Sequence, residues 1–243
     1  MSSPFLLSKT KLFSQILQTL PVQKLLINTL NAYCFTLAQD DEVYAEALSN
    51  SDILIPDGIS VVLATKLLTG SKIKKIAGAD LFFYEMNRLN TNGGSCFFLG
   101  SNENTLKRII DHSKSDFPRV KMQKFSPPFK TQFSPEDNSI MIEAINAFNP
   151  DVLFIGMTAP KQEKWAYQHI KELETGHICC VGAVFDFYAG TVKRAPKWMI
   201  DLGLEWFFRL LKEPRRMWRR YLVGNLKFIW LVFKEKITTR DRI

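Results

Sequence analysis

Six short apolar runs recur along the chain, each too brief for a buried helix and each bounded by turn-forming residues. They are Leu25–Asn31, Ile53–Pro56, Ser95–Gly100, Val120–Phe125, Val152–Met157 and His177–Gly182. Between them, Gln39–Ser49, Ile59–Leu68, Ala79–Leu89, Asn104–Ser115, Glu136–Phe148 and Lys161–Lys171 carry apolar residues at helical spacing. Near-continuous apolar strands alternating with helices predict an α/β body: a Rossmann-like, mostly parallel sheet with helices on both faces. Capping chemistry agrees. Ser134-Pro135-Glu136-Asp137 supplies an N-cap, a first-turn proline and first-turn acids, and Asn149-Pro150 closes that helix.

After Ala195-Pro196 the pattern changes, dividing the chain into a body (1–195) and a helical appendage (196–243). Two helices are expected there, Lys197–Leu211 and Pro214–Lys234, separated by Glu213-Pro214. The net charge of +8 is concentrated in this region: from Lys193 onward 14 Lys and Arg face 5 Asp and Glu, and the preceding residues are almost neutral. Arg215/Arg219 and Arg216/Arg220 are i,i+4 pairs, followed by Trp218, Tyr221, Phe228, Trp230 and Phe233. A basic, aromatic-rich helix suits an anionic lipid surface; the plainer alternative is a helix docked on the core with a solvated basic face. A basic tail also fits a nucleic-acid binder, but these aromatics share an apolar face with Leu, Val and Ile instead of interleaving with cations, so no nucleic-acid partner is expected. No cleavable signal is visible in Met1–Thr19. The longest apolar stretch, Tyr221–Phe233, is interrupted by Asn225 and Lys227, so a membrane span is not expected.

Candidate chemistry lies at strand-to-helix junctions. Asp57, in Pro56-Asp57-Gly58, falls beyond the carboxyl end of a strand, where open parallel sheets bind ligands. It can serve as a general base toward an acceptor hydroxyl, or only as a turn residue and cap. Gly100-Ser101-Asn102 is a glycine turn into a helix start, able to approach a diphosphate. Thr158, Gln162 and Glu163 sit at another such junction, able to read hydroxyls or merely to face water. Asp186 lies among apolar residues and needs a partner, for which Arg194 is available. The cysteines Cys34, Cys96, Cys179 and Cys180 form no C-x-x-C pair and read as buried free thiols. His112, His169 and His177 are dispersed, and no metal set stands out. The absence of G-x-G-x-x-G after the first strand argues against a dinucleotide-dependent oxidoreductase.

Taken in order, several segments resemble the WecG/TagA/CpsF glycosyltransferase family. They are Asn28-Thr29-Leu30-Asn31, Pro56-Asp57-Gly58, Lys75-Ile76-Ala77-Gly78-Ala79-Asp80-Leu81, Phe98-Leu99-Gly100, Pro160-Lys161-Gln162-Glu163 and Asp186-Phe187-Tyr188-Ala189-Gly190. Arg194-Ala195-Pro196-Lys197-Trp198, Gly203-Leu204-Glu205-Trp206-Phe207-Phe208-Arg209-Leu210 and Glu213-Pro214-Arg215-Arg216 complete the pattern, which spans most of the chain. The resemblance implies inverting transfer of N-acetylmannosamine or another hexose from a UDP-sugar to an undecaprenyl-diphosphate-linked sugar, in the synthesis of a surface polysaccharide or teichoic acid. It implies Asp57 as catalytic base, a sugar site at Thr29, Asn31 and Gln162, and arginines Arg209, Arg216 and Arg219 completing the site at the membrane. No D-x-D triplet occurs, so no metal or cofactor is expected, and Lys or Arg with helix amides would neutralise the departing diphosphate. Lys75 stands where the family usually has Arg, keeping the charge but losing bidentate phosphate contact. The usual Gly-Gly is reduced to Gly100-Ser101. The expected setting is the cytoplasmic face of a bacterial inner membrane, peripherally bound. Donor sugar, final polymer and oligomeric state stay open, a homo-oligomer being one way to cover exposed apolar surface.

Overall fold

The computed structural model describes residues 5–240, without the side chains of Asp201, Arg216, Thr239 and Arg240. Six strands form one sheet: β1 (Leu25–Leu30), β2 (Ile53–Pro56), β3 (Ser95–Gly100), β4 (Lys121–Phe125), β5 (Val152–Gly156) and β6 (His177–Cys180). Every pairing is parallel, in the order β2-β1-β6-β5-β3-β4. All six carboxyl ends therefore meet one edge of the sheet.

Alternation along each strand fills both faces. In β3 and β5, Cys96, Phe98, Val152 and Phe154 join one core, and Phe97, Leu99, Leu153 and Ile155 join the other. Phe98 and Phe154 stack with ring centroids 5.6 Å apart. Sequence bounds and structure agree to within a few residues for all six strands and for the helices Glu42–Ser49, Ile59–Thr69, Gly78–Asn92, Glu103–Asp116, Pro135–Phe148 and Lys161–His169. Two short helices escape the sequence pattern, Ala32–Ala38 and Val184–Tyr188. The first is capped by Asn31, whose Oδ1 accepts the Cys34 N–H at 3.0 Å, and its seven mostly buried residues show no amphipathic period.

The C-terminal region departs from the two expected helices. It runs as Lys197–Asp201, Glu205–Lys212, Pro214–Trp218, a wide π-helical turn Arg219–Val223, and Gly224–Arg240. Gly203, at φ +72°, ends the first piece; a side chain there would also meet Ile59 at 2.8 Å. The last helix is both docked and greasy. Phe228 and Val232 enter a core with Phe5, Leu7, Phe35 and Val61, worth about 1.5–3 kcal/mol for each large side chain buried. Leu226, Ile229, Trp230, Phe233 and Ile237 of the same helix face solvent. Trp198, Leu202, Leu211, Trp218, Leu222 and Val223 of the preceding helical pieces are exposed as well, so the exposed apolar residues of this region form a long band in sequence. No helix among the described residues is long and apolar enough to cross a membrane.

A carboxylate fastens this helix to the start of the chain. Buried Glu235 accepts the backbone N–H groups of Leu7 (Oε2, 3.1 Å) and Ser8 (Oε1, 2.7 Å). Replacing Glu235 with Ala strands both donors, at a cost of about 2–3 kcal/mol, or roughly 5–10 °C in melting temperature. Differential scanning calorimetry of Glu235→Ala checks this; an unchanged melting temperature would show the contact to be energetically empty.

Candidate active site

The sheet order decides which junctions can cooperate. Pro56, Leu30 and Cys180 end the adjacent strands β2, β1 and β6, so the segments after them share one corner of the carboxyl edge. Asp57 is anchored there through its N–H to the carbonyl of Leu30 (2.9 Å), and Gly58 at φ +130° turns the chain into Ile59–Thr69. The Ile76 N–H bonds the carbonyl of Pro56 at 3.1 Å, which carries Lys75 to the same corner. Asp80 accepts the Ala77 N–H at 2.8 Å at the start of the next helix. A cavity of about 310 Å³ opens here, lined by Ile59, Lys75, Ala77, Asp80, Arg194, Ile200 and Gly203.

Electrostatics single out Asp57. Burial first, then the nearby carboxylates of Glu205 and Asp80, push its carboxyl up to about 6, while Lys75 and Arg220 pull the other way. Arg194, on the cavity wall, pairs with Glu205 (Nε to Oε1, 3.3 Å), and so holds the acid that acts on Asp57. The sequence reading offers Arg194 as a partner for Asp186; the structure pairs Arg194 with Glu205, and Thr191 Oγ1 lies 3.1 Å from the Asp186 carbonyl and 3.5 Å from its Oδ1. Arg209 stacks on the ring of Phe187 at 5.4 Å, with its Nε buried and given no hydrogen-bond partner by the described residues, and Arg194 lies 6.0 Å from the same ring. Thr29 is nearly buried in β1, with its methyl group near Gly78, and Asn31 serves as the helix cap.

Among the arginines of the C-terminal helical region, the structure separates inward from outward side chains. Arg219 is exposed and stacks on the exposed Trp218 (5.3 Å), and the side chain of Arg216 lies outside the described residues. The inward one is Arg220, which the sequence reading passes over. Its guanidinium lies 4.4 Å over the ring of Tyr33, its Nε is buried with no hydrogen-bond partner among the described residues, and its charge reaches both Asp57 and Glu163. Nothing in the run Arg215-Arg216-Met217-Trp218-Arg219-Arg220 separates Arg219 from Arg220, because the π-helical turn that sets their directions leaves no sequence signature.

Gly100 stands apart. Four strand spacings separate β3 from β2, roughly 19 Å. A side chain at Gly100, whose φ is +117°, would strike the carbonyl of Gly156 at 2.6 Å, and that carbonyl also takes the N–H of Ser101 at 3.0 Å. Sheet packing by itself already requires a glycine here. Gln162 and Glu163 lie beyond β5, both buried, with Gln162 against Gly182 at the end of β6. His177 is held at the opposite edge of the sheet, between Glu85 (2.7 Å) and the carbonyl of Pro21 (2.9 Å). All four cysteines are buried and free. Among the described residues no three His, Cys, Asp or Glu side chains are grouped as a metal would need.

Comparison with known proteins matches these residues to one family. The family model described as glycosyl transferase WecG/TagA/CpsF family covers residues 5–242. The chain belongs to this glycosyltransferase family. It is 33% identical over 214 residues to the N-acetylglucosaminyldiphosphoundecaprenol N-acetyl-beta-D-mannosaminyltransferase of Bacillus subtilis (strain 168), covering 86% of this chain and 79% of that protein. A protein of the same name from Bacillus spizizenii (strain ATCC 23059 / NRRL B-14472 / W23) is 32% identical over 199 residues, covering 82% and 75%. As a member of this glycosyltransferase family, the chain is a sugar-transferring enzyme built on a parallel α/β sheet.

The raised carboxyl of Asp57 has a cost in stability. The folded protein binds this proton more tightly than the unfolded chain, so stability falls as pH rises from about 4 to about 6 and stays reduced above. Asp57→Asn removes the ionised form. It should melt higher than the parent at pH 7.5, by about 1–2 kcal/mol given partial contact with water, and the gap should close near pH 4. Equal melting temperatures at both pH values would show that Asp57 is not desolvated.

Proposed function

We propose that this glycosyltransferase moves N-acetylmannosamine, or a closely related hexose, from its UDP-sugar to the terminal sugar of an undecaprenyl-diphosphate-linked acceptor, with inversion. The relatives' names supply the acceptor class, an N-acetylglucosaminyl diphosphoundecaprenol, and a β-linked product. The observation that carries the reading is the poorly hydrated Asp57 beside Lys75 and Arg220 at the carboxyl edge of β2. A base with a carboxyl near 6 is ionised at neutral pH and still basic enough to take a proton from a hydroxyl in the transition state. Asp57 removes the acceptor's hydroxyl proton, the oxygen attacks the anomeric carbon, and the bond to UDP breaks on the opposite side. Lys75 balances the charge developing on the diphosphate as a point cation, and helix-start amides add to it. Thr29, Asn31 and Gln162 shape the sugar pocket, with Asp186 beyond β6 and Gly100 further out on the same edge.

Residues 1–195 are the catalytic body and 196–243 an arm that serves two purposes. Its exposed apolar band and basic residues lie in the interface of an anionic bilayer, on the cytoplasmic face of a bacterial inner membrane. Arginines complete the site: Arg194 from the body at the cavity, and from the arm Arg209 over Phe187 and Arg216 and Arg219 toward the diphosphate of the acceptor.

Two measurements test this reading. With radiolabelled UDP-N-acetylmannosamine and a short-chain lipid-diphosphate N-acetylglucosamine acceptor, Asp57→Asn should lose about 10²–10⁴-fold in kcat. The parent enzyme's kcat/KM should rise with pH through an apparent pKa of about 6. Lys75→Ala should move that limb upward and Glu205→Gln downward, because Lys75 favours and Glu205 opposes ionisation. Retention of full activity by Asp57→Asn sinks the assignment. Separately, the protein should float with vesicles containing phosphatidylglycerol, and Trp230→Glu with Phe233→Glu should leave it in the bottom fraction. Flotation unaffected by the double substitution would place membrane contact elsewhere.

A further inference from the structure

Glu163 is the most deeply enclosed acid near the site, with no solvent exposure. Its Oε1 accepts from Gln162 Nε2 at 2.9 Å, and its Oε2 is buried with no hydrogen-bond partner among the described residues. Gln162 is held at both ends of its amide, since its Oε1 accepts the Met157 N–H at 3.2 Å. A primary amide carries two N–H bonds, so one stays uncommitted. The amide lies against Gly182, where even a methyl group would stand 3.6 Å from Nε2, so the missing side chain leaves room above it at the end of β6.

Without its acceptor this amide could rotate by half a turn and exchange its N–H and carbonyl ends. A buried carboxylate with an unpaired oxygen is an expensive way to prevent that, because glutamine offers the same acceptor with no charge to desolvate. Burial raises the Glu163 carboxyl to about 7, against the pull of the Gln162 amide and the Arg220 charge. The other groups facing it are Cys34, Tyr44 and Cys180. Arg220, arriving on the arm, is therefore the cation that favours the ionised form, whose bond to the amide is charge-assisted and stronger.

We infer that Glu163 is a positioning residue for sugar transfer, which acts by fixing the amide of Gln162 so that its uncommitted N–H serves the donor sugar. The inference rests on the reading of Gln162 as part of the donor pocket, and the test separates the two. Kinetics with UDP-N-acetylmannosamine as the varied substrate are compared for Gln162→Ala, Glu163→Met, Glu163→Gln and the double variant Gln162→Ala/Glu163→Met. Gln162→Ala and Glu163→Met should each raise the donor KM about tenfold, and the double variant no more than the worse single. Glu163→Gln, which keeps an acceptor oxygen, should stay within about threefold of the parent and melt no lower. A Gln162→Ala enzyme with unchanged donor KM refutes the reading of Gln162, and the inference with it. A normal effect of Gln162→Ala, with a Glu163→Met effect that multiplies it or leaves donor KM unmoved, overturns the role of Glu163 alone. If Glu163→Met does not fold, Glu163→Ala takes its place in the cycle.

Discussion

Withdrawing a carboxylate from water costs several kcal/mol unless charges and hydrogen bonds make up the loss. At Asp57 the loss is only partly made up. Lys75 and Arg220 favour its ionised form, but Glu205 and Asp80 stand against it, and burial outweighs them all. The residue is left as a weak acid whose conjugate base is stronger than an ordinary aspartate. That intermediate state is what a proton acceptor needs, and it depends on both cations staying in place. With more compensation the carboxylate would be too stable to take a proton; with less it would not ionise at neutral pH.

The cations and anions that set this balance come from different parts of the chain. Asp57, Lys75 and Asp80 belong to the segments following β2, whereas Arg194, Glu205 and Arg220 belong to the region that leads into and forms the arm. The site is therefore a joint between the sheet edge and the arm. Arg220 reaches across that joint to Glu163 as well, so one guanidinium bears on Asp57 and on the acid behind Gln162. Because the last helix buries Phe228 and Val232 with Phe5, Leu7 and Phe35, the arm is held to the body on the side away from its exposed band.

The strands and most helices were legible because their signals are local: apolar runs, alternation and caps such as Ser134. The position of Asp57 was legible for the same reason, since a strand, a proline and a glycine fix a turn at the sheet edge. What sequence could not convey was strand order. Gly100 and Asp57 look equivalent as junctions, yet four strand spacings divide them, and only the crossover topology reveals it. Nor could it convey phase within the arm. Gly203 breaks one helix and the π-helical turn rotates another, so Arg220 faces inward and Arg219 outward. The pairing of Arg194 with Glu205 is likewise a product of that break, which brings Glu205 to the corner of the sheet.

The contact between Glu235 and the amides of Leu7 and Ser8 gives the molecule a clasp in which its first and last segments close on each other. Those two amides are shielded only while the final helix lies against the body. Any event that lifts the helix, whether lipid insertion or substrate entry, opens the clasp and bares them to solvent at the opposite end of the chain. Deuterium uptake at Leu7 and Ser8 is thus a remote gauge of how often the arm leaves its seat.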